Sequence, residues 1–330
     1  MSGVTIGFLM GGLVLVLLVI RVHIAVAMLL AGGIGYALVA GIDPLFNYAK
    51  TMAFARYSVY DLSVVPLFLL MGNLASRGGL SRRLFQATNA FLGHYRGGVA
   101  MSAVGACAGF GAICGSSLAT AATMGQVALP ELRRYNYSPA LATGALAAGG
   151  TLGVLIPPSV VLVIYAVLAE QNVAAMFIAA LLPGLLALSG YMVAIMIYVR
   201  LSPGSGPAAP RMNWSERLHT LREVWPIVAI FVTVIGGIYG GWANPTEAAS
   251  IGAAACGVLA VWRGGLRWAG LKLSIIGTAH ATAMIYMVLL GADVLNAGLA
   301  ITQLPVDLAE WVKHSGLAPL LVMTAILLIY

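Results

Sequence analysis

From residue 97 to residue 130 the chain runs for 34 residues without a charge or a histidine, and the middle of that run reads Cys114-Gly115-Ser116-Ser117-Leu118-Ala119-Thr120. The Gly-Ser-Ser triplet breaks a helix. A helix broken away from water leaves carbonyls at the end of one limb and N–H groups at the start of the next. In hydrocarbon such groups cost several kcal/mol each, so the break persists only inside protein or around a cavity. The carbonyls of Ile113, Cys114 and Gly115, with the hydroxyls of Ser116, Ser117 and Thr120, are hard oxygen donors suited to Na⁺. The start of the second limb, capped by Ser116 or Ser117, turns partial positive charge toward an anion. A packing role stands beside this one, because Gly105/Gly109 and Gly111/Gly115 both have the GxxxG spacing of close helix crossings.

A second break falls in the uncharged stretch 135–169, which carries Gly149-Gly150-Thr151-Leu152-Gly153 and then Pro157-Pro158-Ser159. Tandem prolines remove two donors and push Ile156 out of the helical region, so an unwound or discontinuous crossing is expected over 138–169. Carbonyls from Gly150 to Ile156, with the hydroxyls of Thr151 and Ser159, form a second oxygen set, and a coupling Na⁺ is expected near Gly115, Ser116 and Thr151. The alternative is a proline hinge used only for gating. Neither break contains Asp, Glu, His or Lys, which favours Na⁺ over a proton relay. Gly150 and Asp293 are secondary candidates, the latter as ligand or gate near the outer end of its span. Glu247, three residues after Asn244, has capping-box spacing. His280 is expected to be a satisfied interhelical donor. Arg77, Arg82 and Arg83 are expected to set topology and touch lipid headgroups. No GxxxxGK[ST], no HExxH and no base near Ser116 or Ser117 is present, so an enzyme is not expected, nor any cofactor beyond the coupling ion.

The elements that hold these residues follow from composition. Of 330 residues, 61% are apolar and 8% charged, against about 25% charged in soluble domains. So little charge cannot cover a water-facing surface, which excludes a soluble enzyme, a nucleic-acid binder and a disordered chain. Cys107, Cys114 and Cys256 lie in apolar runs without metal-ligand spacing and read as small buried hydrophobes. The fold class is all-α, a polytopic integral membrane protein with candidate crossings at 4–20, 24–42, 59–76, 138–169, 173–199, 224–242, 246–262 and 273–298, and a further apolar run from 315. A Pro/Gly/Ser-rich connector at 201–223 continues as a surface helix from Asn213 to Glu223.

Positive charge tests the layout. With the N-terminus outside and 97–130 returning to the side it left, the inside loops hold 14 of the 17 Lys and Arg, and only Lys50, Arg56 and Lys313 fall outside. If 97–130 crossed, every later loop would flip and the bias would largely vanish, so the charge rule predicts a re-entrant hairpin. Length agrees, since one helix of that run would measure about 51 Å against a core of about 30 Å.

Sliding the chain by 219 residues sets Met71-Gly72-Asn73-Leu74 on Leu290-Gly291-Ala292-Asp293 and Gly97 on Gly316. An odd number of crossings separates the copies, so the second is inverted, and inverted repeats mark secondary transporters. The organisation expected is a first repeat over 1–200, the connector 201–223, and a second repeat over 224–330. The partner of Gly115 would fall at position 334, so the sequence is expected to stop before its second hairpin.

The series Val65-Pro66-Leu67-Phe68-Leu69-Leu70-Met71-Gly72, Gly115-Ser116-Ser117-Leu118-Ala119-Thr120, Gly153-Val154-Leu155-Ile156-Pro157-Pro158-Ser159, Pro183-Gly184 and Pro245-Thr246-Glu247-Ala248-Ala249 resembles the large membrane subunit of tripartite ATP-independent periplasmic (TRAP) transporters. The resemblance implies an elevator-type, Na⁺-driven importer of a small organic acid, such as a carboxylate, in the inner membrane, where the charge count sets the N-terminus on the periplasmic side. It also implies a periplasmic substrate-binding protein and a small four-helix membrane subunit as partners. In that family the hairpin tip and the adjacent broken helix help build the Na⁺ and substrate sites, which carries over to Gly115, Ser116, Ser117, Thr120, Thr151, Pro157 and Ser159. The family's large subunit continues through a further hairpin and additional helices. A stand-alone divalent-anion/Na⁺ symporter of similar layout, and a channel or structural membrane subunit, are the other readings the residues allow.

Overall fold

The computed structural model describes residues 2–316 and 318–329. They form fifteen α-helices and one 3₁₀ turn: α1 (Gly3–Val19), α2 (Ile24–Ala40), α3 (Ile42–Tyr57), the turn Tyr60–Ser63, α4 (Val64–Arg77), α5 (Leu80–Leu92), α6 (Gly98–Cys114), α7 (Ser117–Arg134), α8 (Pro139–Leu155), α9 (Val160–Leu168), α10 (Val173–Leu201), α11 (Trp214–Tyr239), α12 (Pro245–Trp262), α13 (Trp268–Ile301), α14 (Leu304–His314) and α15 (Pro319–Ile329). Four helices are long and apolar enough to cross a membrane, α10, α11, α12 and α13, and counting each bent pair as one span raises this to six. Apolar side chains such as Leu182 on α10 and Val258 on α12 stand exposed, as lipid-facing surfaces require.

The chain divides into two compact units, residues 1–59 with 283–330, and residues 60–282. In the first, α1 and α2 pack together, and glycines let helices approach closely. A Cβ on Gly32 would lie 2.6 Å from the Leu295 backbone nitrogen, and one on Gly291 would lie 2.6 Å from the Ala25 carbonyl oxygen. The buried acid of this unit is Asp293, 7% exposed, gripped by both the Nε and a terminal nitrogen of Arg56. Tyr57 stacks on Tyr286 and donates to its carbonyl at 2.9 Å.

The second unit is built around α6, which buries every residue except Gly105 and Gly109. Helices α4, α5, α7, α8 and α10 pack on it, and Phe68 meets Phe177 with ring centroids 6.2 Å apart. Gly105 and Gly109 have ordinary contacts, at 3.5 and 3.4 Å from where a Cβ would lie, so the close GxxxG crossing belongs to Gly111/Gly115.

Several helices differ from the expected elements. α3, α5 and α14 occupy segments read as connectors, because each carries charges and falls short of an apolar 20-residue run. The surface helix from Asn213 and the span after it are one helix, α11, with Pro226 inside it. Proline removes a single donor there, and the flanking turns carry the helix through. α7 extends past the uncharged run to Arg134 and contains Pro130.

Candidate functional site

Helix α6 ends where Gly115 takes a left-handed conformation (φ +63°), a state costly to residues with a Cβ. Ser116 is then extended and begins α7, its Oγ accepting from the Ala119 N–H at 3.4 Å. Among the described residues, no backbone N–H reaches the carbonyls of Ala112, Ile113 or Cys114. α6 and α7 thus form a hairpin whose tip carries the Gly-Ser-Ser triplet.

The base of the hairpin is pinned at both feet to one short segment. Gly97 donates to the Gly206 carbonyl at 2.8 Å and Ser138 to the Ser205 carbonyl at 2.9 Å. Tyr137 donates to the Pro207 carbonyl at 2.9 Å and accepts from the Val99 N–H at 3.1 Å. The chain therefore returns to the place it left. The Pro/Gly/Ser-rich segment after α10 is the clasp that holds this base together.

The second break separates α8 from α9, which bend by 44° across residues 156–159, with a cis bond between Pro157 and Pro158. α8 stays helical through Leu155, so the carbonyls that lose their partners are those of Gly153, Val154 and Leu155 rather than the range from Gly150 to Ile156. The first two would have been served by the residues that are now prolines. Ser159, fully buried, caps α9 through the Leu162 N–H at 3.4 Å.

The two breaks meet. Val160 donates its N–H to the Gly115 carbonyl at 3.2 Å, and a Cβ on Gly115 would lie 3.0 Å from the Pro158 carbonyl oxygen. A Cβ on Gly153 would lie 2.7 Å from the Thr120 hydroxyl and 2.9 Å from the Ser116 carbonyl, while one on Gly111 would lie 2.6 Å from Gly153 Cα. The Thr120 hydroxyl, completely buried at this junction, has no oxygen or nitrogen partner among the described residues, and its polar contact is the Cys114 thiol. A thiol is a weak partner for a buried hydroxyl, so Thr120 keeps unused hydrogen-bonding capacity at this junction.

Gly115, Ser116, Ser117, Thr120, Pro157 and Ser159 are thus brought to one junction. Gly150 lies beside it, against Ala121 and the Ser117 carbonyl, as a close-packing position. Thr151 stands apart: its hydroxyl donates to the Ala148 carbonyl at 2.7 Å and pairs with the Tyr191 hydroxyl at 3.0 Å on an exposed face of α8. With α8 intact, 100° of rotation separates Thr151 from Gly150, and Gly149, Gly150 and Gly153 lie against the hairpin instead. Asp293 is engaged by Arg56 within the other unit. Glu247 and Asn244 form the reciprocal capping box at 2.9 and 2.8 Å. His280 lies on an exposed face of α13 rather than between helices.

Residues 12–330 match the family model described as "Tripartite ATP-independent periplasmic transporter, DctM component". Among curated proteins, the C4-dicarboxylate TRAP transporter large permease protein DctM of Pseudomonas aeruginosa is 38% identical over 275 residues, covering 82% of this chain and 64% of that protein. The ectoine TRAP transporter large permease protein TeaC of Halomonas elongata is 32% identical, covering 81% and 62%. The isethionate TRAP transporter permease protein DctMQ of Oleidesulfovibrio alaskensis is 30% identical, covering 94% and 49%. The chain spans less than two thirds of the length of these relatives. A match that runs through nearly every helix, including both breaks, places this multi-pass membrane chain in the DctM family of TRAP transporter large permease components.

Proposed function

We propose that the chain is the permease component of an importer that moves a small organic acid across the inner membrane, driven by a Na⁺ gradient. The observation that carries this reading is the junction of the two helix breaks, with its unpartnered carbonyls and the buried Thr120 hydroxyl, which has only a thiol beside it. Interrupted helices supply such groups at ion and substrate sites of secondary carriers, their carbonyl ends to cations and their N-termini to anions. Here the carbonyl ends are those of α6 and α8, and the starts of α7 and α9, capped by Ser116 and Ser159, offer N–H groups to a carboxylate.

The α6–α7 hairpin would enter from the cytoplasmic side, where charge counting places both its feet, and leave its tip within the membrane. A tip that carries unpartnered polar groups must be shielded from lipid, and packing by α4, α8 and α9 does this. An elevator movement of the unit that holds the junction accords with the family. So do two partners, a periplasmic protein that delivers the solute and a small membrane subunit. The relatives are named for solutes as different as a dicarboxylate, ectoine and isethionate, so the cargo class here rests on the anion-accepting geometry.

The test is uptake into proteoliposomes by the full-length permease with its two partners. Uptake that collapses when Na⁺ is replaced by choline supports the reading. Uptake that persists unchanged without Na⁺ overturns it.

A further inference from the structure

A polar concavity of about 410 Å³ opens at the turn joining α4 to α5, lined by none of the residues at the helix breaks. Gly79, left-handed at φ +72°, begins α5 with no side-chain cap. Among the described residues no acceptor meets the backbone N–H groups of Leu80, Ser81 or Arg82. An uncapped first turn carries partial positive charge, but such a turn alone makes no site. The residue that makes this one specific is Ser81. It is 2% exposed and lines the cavity, and its hydroxyl has no hydrogen-bond partner among the described residues.

Three guanidiniums, from Arg82, Arg83 and Arg263, line the same cavity. Arg83 donates one terminal N–H to the Arg263 carbonyl at 2.9 Å, which fixes its side chain across the turn. Glu223 is the acidic lining residue set against these three guanidiniums, so positive charge dominates. Arg263 stacks over the Trp262 ring at 5.9 Å, and Trp262, 77% exposed, closes α12. Exposed tryptophan at the end of an apolar helix sits at the membrane–water interface, the depth of phospholipid headgroups.

We propose that this cavity binds a phosphate-type oxyanion, the uncapped N–H groups of α5 and the Ser81 hydroxyl donating to its oxygens while the three arginines neutralise its charge. The phosphate is carried by a phospholipid headgroup or arrives as a free ion. The two sources share this chemistry, and the depth of Trp262 favours the lipid.

The full chain, extracted from membranes in mild detergent, is examined by native mass spectrometry beside R82Q/R263Q, S81A and the control R133Q/R134Q. Wild type and control retain phospholipid through detergent removal, whereas R82Q/R263Q retains at least about tenfold less and S81A about fivefold less. Thermal melts of delipidated protein then separate the sources. Stabilisation by phosphatidylglycerol alone assigns a lipid phosphate, and stabilisation by inorganic phosphate as well assigns a site open to the free ion. Either result supports the proposal if R82Q/R263Q blunts it. Equal retention by all variants, equal loss in the control, or no stabilisation by either phosphate source overturns it. If R82Q/R263Q does not fold, S81A decides, and unchanged retention by S81A overturns the proposal.

Discussion

Val160 gives its backbone N–H to the carbonyl oxygen of Gly115 at 3.2 Å, so the first residue of one interrupted helix is tied to the residue that ends another. The bond fixes the tip of the α6–α7 hairpin against the α8–α9 break, and no side chain takes part in it. Side chains matter at the next layer. Gly153 must have no Cβ so that Thr120 and Ser116 can reach the junction, and Thr120 then holds a buried hydroxyl there with only the Cys114 thiol beside it.

Gly153→Ala should damage this junction while Gly144→Ala does not. A methyl at 153 meets the Thr120 hydroxyl at 2.7 Å and the Ser116 carbonyl at 2.9 Å, whereas one at 144 meets nothing within 4 Å. Overpacking of this kind costs about 1–3 kcal/mol. Thermal melts in detergent check this, with G153A expected below wild type and G144A equal to it.

Arg56 and Asp293 should behave as a coupled pair. Asp293 is 7% exposed and Arg56 25%, so removing one partner strands the other's charge. R56A or D293A alone should destabilise by about 3 kcal/mol, the low end for a buried pair because Arg56 is partly exposed, and R56Q/D293N should recover part of that loss. A double-mutant cycle on melting in detergent reads the coupling, and strictly additive losses would count against it.

The hairpin should begin and end on one side of the membrane. Tyr95 and Asn136, both exposed, flank its two feet, and the three native cysteines are buried. Y95C and N136C should react with an impermeant maleimide from the same face. Labelling from opposite faces would mean that 97–130 crosses.

What the sequence made legible was the chemistry of the main chain. Gly115-Ser116-Ser117 and Pro157-Pro158 mark their breaks because a left-handed glycine and a missing donor act locally, whatever surrounds them. Positive charge likewise predicted a returning hairpin, and the structure juxtaposes Arg83 with the Arg263 carbonyl, two segments that a crossing would have separated. Side-chain direction was less legible. Thr151 looked like a ligand only while α8 was taken to unwind before it, and one more helical turn faces it toward Tyr191. The partnership of Asp293 with Arg56 joins residues 237 positions apart, which no local pattern encodes. α5 was present in the stripe Leu80, Leu84 and Phe85, all buried. Such a stripe on a short charged helix is invisible to a search for long apolar runs.

Thr120 offers the most direct test of the junction as a cation site. Uptake by the reconstituted full-length transporter should be measured against Na⁺ concentration for wild type, Thr120→Ser and Thr120→Val. The account predicts that Ser keeps the wild-type half-saturating Na⁺ concentration while Val, of equal shape but lacking the hydroxyl, raises it about tenfold, the worth of one charge-assisted oxygen contact. A valine variant with wild-type Na⁺ dependence would contradict the account.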